Sequence, residues 1–299
     1  MTDEKTSLND ARRRKRFEKN PIKGTKYTIA ISSAKGGVGK STFATNLALA
    51  LKNLNLKIGL LDADIYGPSL PKLFAINQKP ENKEGKLIPV NKYNIQCMSM
   101  GFLTEEQTPM IWRGPMVTSA IKTFTQKVDW KDLDFIIVDM PPGTGDTQLT
   151  FAQEIKMDGV IIVSTPQELA LQDVKRGIAM FDKLNVNIIG LVDNMSFFLG
   201  DDGKKYNIFG DGGVKRTSEE FKKKFLGEIP ISSEVGKFGD LGKPIVENYV
   251  FNLIFVFFVL FGSNVCNNPE AQSHSRKTCG LIPFAKQKVT MRKRSFLFR

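Results

Sequence analysis

The run Ser32-Ser33-Ala34-Lys35-Gly36-Gly37-Val38-Gly39-Lys40-Ser41-Thr42 constrains this chain more than any other stretch. An apolar, β-branched segment, Tyr27-Thr28-Ile29-Ala30-Ile31, leads into it. Phe43, Leu47, Leu51 and Leu54 follow at helical spacing, so strand, glycine loop and helix are predicted in succession. Glycines at 36, 37 and 39 allow φ > 0 and let successive N–H groups converge, while the helix N-terminus adds partial positive charge. Such a cavity fits a polyphosphate. Gly36, Gly37, Val38 and Gly39 would form the cradle, Lys40 would reach the β- and γ-phosphates, Ser41 would ligand Mg²⁺, and Thr42 would stand near the α-phosphate. The expected cofactors are ATP and Mg²⁺.

Ala34 occupies the place of the usual first glycine, and Lys35 adds a second lysine. This loop resembles the deviant Walker loop of the MinD, ParA, ArsA and nitrogenase iron-protein superfamily. The resemblance implies that Lys35 crosses a homodimer interface to the partner's phosphates. Taken alone, the same residue also reads as a solvated loop lysine.

Alternating strand and helix patterns in 299 residues favour one α/β domain. The net charge of +12 suggests nucleic acid until it is located: residues 1–24 hold eight Lys/Arg against four Asp/Glu, and residues 250–299 eight against one. The body between them is nearly neutral, which argues against nucleic acid as a partner. We therefore divide the chain into a basic flexible arm (1–24), an ATPase domain (25–249) and an atypical tail (250–299). The arm carries Arg12-Arg13-Arg14-Lys15-Arg16, and an acidic partner for it stays open. Three cysteines, Cys97, Cys266 and Cys279, and no signal-peptide pattern imply a reducing, cytoplasmic setting. The single histidine, His274, lies in the tail, so imidazole chemistry in the body is excluded.

Lys57 to Asp64 reads as an apolar strand ending in two acids, at the edge where parallel sheets bind ligands. Asp64 is a candidate to orient the attacking water and Asp62 to lie near the Mg²⁺ hydration shell; a strand-ending turn is the alternative for both. Residues 65–93 are rich in turn formers and predict a surface excursion. Tyr93 to Met100 returns as a strand, with Cys97 as a small core residue. Trp112-Arg113-Gly114-Pro115 precedes a helix to about Lys127, with Arg113 near phosphate, a partner subunit or solvent. Phe135-Ile136-Ile137-Val138-Asp139 followed by Met140-Pro141-Pro142-Gly143-Thr144-Gly145-Asp146 has the form of a Walker B strand, Asp139 holding Mg²⁺ through water, and of a loop that moves when the γ-phosphate leaves. Gly159 to Ser164 predicts a buried strand, Leu171, Val174, Ile178 and Phe181 a helix face, and Asn187 to Asn194 another strand. Asn194 has the donor and acceptor that adenine recognition requires, or is a turn residue.

These stretches, with Asp64-Ile65-Tyr66-Gly67-Pro68-Ser69, Ser164-Thr165-Pro166-Gln167, Asn194-Met195-Ser196 and Ile208-Phe209-Gly210, are similar to the Mrp (ApbC) group of iron–sulfur cluster carrier ATPases over about residues 25–248. The resemblance implies a dimeric Mg-ATPase that holds a labile [4Fe–4S] cluster and passes it to apoproteins. Two features depart from it. The basic arm stands where many members carry a small N-terminal domain. The Cys-Pro-x-Cys pair that commonly follows Asn-Met-Ser falls here on Gly200 and Gly203, so the iron–sulfur ligands are unassigned.

The tail holds eight of 22 Phe, two of three Cys and the one His, a shift that reads as a foreign or misjoined reading frame. Val250 to Gly262 has eleven apolar residues in thirteen, short of the roughly 20 that span a bilayer, so a membrane is not expected as a partner. The spacing of Cys266 and Cys279 fits no ferredoxin or zinc pattern. The expected fold is a doubly wound, mainly parallel sheet flanked by helices, of the MinD/ParA-like P-loop NTPase kind. The expected function is a cluster-carrying ATPase; the other reading is a ParA/MinD-like positioning ATPase that binds DNA or membrane on dimerising.

Overall fold

A computed structural model describes residues 19–103 and 114–248. The arm cluster Arg12 to Arg16, Trp112 and Arg113, and the tail with Cys266, His274 and Cys279 lie outside these residues.

Among the described residues, nine strands form one sheet in the order β10-β9-β8-β1-β7-β2-β6-β5, with β11 (Phe225–Ile231) also on β9. The central strands are β1 (Thr25–Ser32), β2 (Ile58–Asp62), β6 (Ile95–Ser99), β7 (Leu133–Asp139), β8 (Gly159–Ser164) and β9 (Ile188–Leu199). All pair in parallel with one another, while β5 (Val90–Lys92) and β10 (Lys205–Tyr206) join antiparallel. The β2 and β8 runs are buried at every residue because helices cover both faces, which is why they read as unbroken apolar stretches.

Helix α1 (Lys40–Lys52) leaves the glycine loop and is buried on most of its circumference. Its Asn46 Oδ1 accepts the Val246 N–H at 3.2 Å, and Lys52 pairs with Glu247 at 3.6 Å, tying the last described helix, Ile245–Asn248, to the core. Helix α5 (Glu168–Lys183) buries Leu171, Val174, Ile178 and Phe181, the face expected from their spacing.

The excursion 65–93 contains more order than its turn residues predict: helix α2 (Leu70–Leu73), the hairpin of β3 (Glu81–Lys83) and β4 (Lys86–Ile88), and β5. The helix expected to run to Lys127 is α3 (Gly114–Lys122) followed by a π-helical turn, Thr123–Lys127. Residues 19–24, which composition assigns to the arm, are packed on the body. Ile22 is core, Asn20 exchanges backbone bonds with Glu154 and Lys156 at 2.7 and 2.9 Å, and Lys19 Nζ donates to the Leu184 carbonyl at 3.1 Å. An apolar residue with a core position to fill outweighs the polar composition around it.

Candidate functional site

The site is built where β1, β7 and β2 end side by side. Register pairs Ile31 with Asp139 and Asp139 with Asp62, so the phosphate loop leaves β1 directly beside both carboxylates. Gly37 (φ +79°) and Gly39 (φ +81°) take left-handed conformations, and α1 starts immediately after the second. A Cβ at Gly36 or Gly37 would meet nothing within 4 Å, which leaves that side of the loop open to a ligand.

Lys40 is buried, and its Nζ lies 2.5 Å from Asp139 Oδ1 and 3.3 Å from Ser41 Oγ. Burial pushes the Asp139 carboxyl upward, against the pull of Lys40 and Ser41. Three of the expected groups are therefore already together: the phosphate lysine, the Mg²⁺ hydroxyl and the strand-ending acid. Asp62 behaves differently. Its Oδ2 accepts N–H bonds from Ser69 (2.9 Å) and Leu70 (3.0 Å) and the Ser99 hydroxyl (3.0 Å), and its Oδ1 accepts the Asp64 N–H at 3.1 Å. Burial first, then the Asp139 charge, pushes its carboxyl up to about 7. These four donors make it the anchor of the 63–70 turn, beside its register partner Asp139. Asp64 Oδ1 accepts N–H bonds from Tyr66 and Gly67 at 3.1 and 3.2 Å, which fixes the carboxylate within the turn that follows β2.

Lys35 is half-buried and forms no ion pair among the described residues. Thr42 gives its carbonyl to Asn46 Nδ2 at 2.8 Å. Asn194, expected to read adenine, points an Nδ2–H at the Val38 carbonyl (2.7 Å), and a Cβ on Gly39 would come within 2.3 Å of that nitrogen. Its amide thus fastens the loop to β9, and glycine at 39 is required for the approach as well as for the turn.

Cys97 is fully buried in β6, and burial pushes its thiol far up, so it stays a protonated core residue as expected. Gly200 and Gly203 lie in the tight β9–β10 turn: Gly200 N–H donates to the Lys204 carbonyl and Gly203 N–H to the Gly200 carbonyl, both at 2.9 Å. Among the described residues no group of three or more His, Cys, Asp or Glu could hold a metal ion unaided.

Sequence reasoning passed over two buried polar residues. Gln148, in α4 (Asp146–Glu154), bonds Ser32. Asp193, in β9, has two carboxylate oxygens with no hydrogen-bond partner among the described residues. Burial, with Glu228 and Asp211 adding repulsion, pushes Asp193 up to about 7. The folded state therefore holds a proton that the unfolded chain, titrating near 3.9, has released, and stability falls as pH rises from about 4 to about 7. We expect Asp193→Asn to flatten this decline and to gain up to about 4 kcal/mol at pH 8. Urea melts at pH 4.5, 6 and 8 check it; slopes equal to those of the parent would reject the assignment.

The family described as ParA: NUBPL iron-transfer P-loop NTPase matches residues 24–253. A protein of Arabidopsis thaliana named as an iron–sulfur protein required for NADH dehydrogenase, mitochondrial, is 53% identical over 75% of this chain and 73% of its own length. The mouse iron–sulfur cluster transfer protein NUBPL is 47% identical over 77% of this chain and 73% of its own length. The Aquifex aeolicus iron–sulfur cluster carrier protein is 46% identical over 78%, and the chain spans just under two thirds, 65%, of that relative. Among solved structures, a nucleotide-binding protein of Archaeoglobus fulgidus in complex with ADP superposes with a TM-score of 0.67 at 36% identity, over 79% of this chain and 92% of that one. The cell-division ATPase MinD of Pyrococcus furiosus, at 19% identity and a TM-score of 0.57 over 78% and 96%, shares the fold. A glycine loop leaving β1, its lysine paired to the acid that ends the neighbouring strand, and these matches along most of the folded body have one reading: the chain belongs to the NUBPL iron-transfer P-loop NTPases of the ParA group.

Proposed function

We propose that the chain is a Mg²⁺-dependent ATPase, working as a homodimer, that carries iron–sulfur clusters to apoproteins. The observation that carries the ATPase reading is the convergence of Lys40 Nζ, Ser41 Oγ and Asp139 Oδ1 beneath an open glycine loop. A hydroxyl and a carboxylate are hard oxygen donors that suit Mg²⁺, which takes its remaining ligands from water and phosphate, so the residues present fit the ion. Ser41 and Asp139 would hold Mg²⁺, which would supply neutralisation of the phosphate charge.

The chain's own groups do the rest. Gly36 to Thr42 bind the phosphates, Lys40 exchanges Asp139 for phosphate oxygens, and Asp64, held by Tyr66 and Gly67, orients the attacking water. Asn194 keeps the loop on β9 through its bond to the Val38 carbonyl. Lys35, which meets no acid among the described residues, would act on the nucleotide of a second copy. Charge stabilisation of this kind supplies most of the catalysis in phosphoryl transfer.

The cargo is inferred from the names of relatives at 46–53% identity. The positioning-protein alternative has support from fold likeness alone, at 19% identity. No described helix is long and apolar enough to cross a membrane, and a cytoplasmic setting belongs to the same proposal.

Sedimentation with Mg-ATP, Mg-ADP or EDTA tests the reading. We expect an ATP-dependent dimer that reverts to monomer with ADP, and turnover that stops with EDTA. Lys35→Ala should keep ATP affinity within about threefold while dimerisation weakens by at least about tenfold, the loss of one charge-assisted contact. A dimer insensitive to nucleotide and to Lys35 would overturn the two-copy reading.

A further inference from the structure

The segment after Asp139 is tied to the end of β1 at three points. Met140 N–H donates to the Ile31 carbonyl at 3.0 Å, Gly143 N–H to the Ser33 carbonyl at 2.9 Å, and the Gln148 side-chain amide meets Ser32 Oγ at 2.5 Å. The first is a strand bond. The other two cross from the Pro141 to Gly145 loop and the helix it feeds to the two residues that open the phosphate loop. Lys35 follows Ser33 by two positions.

Gln148 stands out within this set. It is 1% exposed, on a helix that otherwise buries Phe151 and Ala152. Leucine or alanine would satisfy that packing without an amide to desolvate. One end of the amide is spent on Ser32, itself 2% exposed; the other end is buried and meets no partner among the described residues. Such an orphaned polar end costs about 1–3 kcal/mol. A fold that needed only an anchored helix would do better with an apolar side chain here.

We propose that Gln148 is a positioning residue that couples the Asp139 to Gly145 segment to the start of the phosphate loop, so that a change of nucleotide at Asp139 moves Ser32, Ser33 and with them Lys35. The inference deepens the ATPase reading and rests on it. The element is short and stiff: α4 carries Gln148 in its first turn, Gly143 (φ +91°) supplies the pivot before it, and Ser32 is the last residue of the central strand. A shift of the 140–145 loop changes the reach of Gln148 to Ser32 directly, with no intervening side chain.

Gln148→Leu keeps the volume and removes the amide; Ser32→Ala removes the acceptor from the other side. For each we expect ATP and ADP affinity within about twofold of the parent, and kcat and ATP-dependent dimerisation lower by about tenfold. The double variant should be no worse than either single, as expected of two residues acting through one contact. Gln148→Glu, whose carboxylate cannot donate to Ser32 Oγ, should recover none of the loss. Fluorescent-nucleotide titration, phosphate release and sedimentation read these separately. Nucleotide affinity falling as far as kcat, or kcat and dimerisation unchanged in both singles, would overturn the proposal. A parent protein that neither hydrolyses ATP nor dimerises with it would instead overturn the function on which the proposal rests.

Discussion

Lys40→Ala is expected to reduce ATP turnover by roughly 10²–10³-fold or more, the loss that follows removal of a preorganised donor from a developing charge. The ammonium is buried with Asp139 as its counter-ion at 2.5 Å, so its position is set before any nucleotide arrives. Removing it has a second consequence. Asp139 is left buried next to its register partner Asp62, and an uncompensated buried charge costs about 3–5 kcal/mol. Part of that cost is avoided by protonation, since burial already pushes both carboxyls upward. The apparent stability of Lys40→Ala should therefore recover at lower pH, where Asp139 is neutral. Adding Asp139→Asn should restore stability at pH 8 and leave turnover absent, which separates the folding role of the pair from its chemistry. Phosphate-release assays and urea melts on the three proteins measure both, and undiminished hydrolysis by Lys40→Ala would refute the site.

Much of this site was legible because its parts are local. A β-branched run, three glycines and a helical apolar spacing occupy residues 27–54, and the Walker B strand is a continuous apolar run with an acid at its end. Both runs are strands buried on two faces, the kind that periodicity announces without ambiguity. The C-terminal part was less readable for the opposite reason. Strand β11 (Phe225–Ile231) contains Gly227, Glu228 and Pro230 and is only partly buried, so its pairing with β9 follows from tertiary contact. The helix Ser233–Asp240 fully buries no residue and offers spacing only the half-buried pair Val235 and Phe238, and β10 is two residues long and set by its turn.

The same distinction runs through the site. That Asp62 ends a strand is visible in sequence; that Ser69, Leu70 and Ser99 converge on it is not, because the donors come from two other segments. Asn194 could be singled out as a polar residue ending an apolar strand, but its bond to Val38 spans 156 residues. Gln148 carried no signal at all. A glutamine in the first turn of a helix reads as solvated, and only its burial and its bond to Ser32 at the end of β1 show it turned inward.

Anaerobic reconstitution with iron and sulfide is expected to load no cluster on Cys97, so the iron content of Cys97→Ala should equal that of the parent. A four-cysteine cluster needs exposed thiolates, and Cys97 is a protonated thiol inside the sheet. The β9–β10 turn offers a direct route to a cluster. A Cβ at Gly200 would meet Asp202 Oδ1 and Tyr206 Cε2 at 2.7 Å, both outer atoms of exposed side chains that can rotate away. A Cβ at Gly203 has open space but sits at φ +75°, a strain of about 1–2 kcal/mol for a non-glycine residue. The turn can therefore accept both thiols at a modest cost in stability. Gly200→Cys with Gly203→Cys should take up about four iron atoms per dimer, from two thiolates of each copy, and develop charge-transfer absorption in the visible. The gain depends on the two copies meeting near this turn, so the same variant with Lys35→Ala should bind less iron if nucleotide-driven pairing brings the turns together. A stoichiometric cluster in the parent that survives Cys97→Ala would place the ligands outside the described residues and restore the cargo site to this chain. With no cluster in either protein but ATP turnover intact, thiolates for the cargo would have to come from the recipient, and the ATPase would act on a cluster it never holds alone.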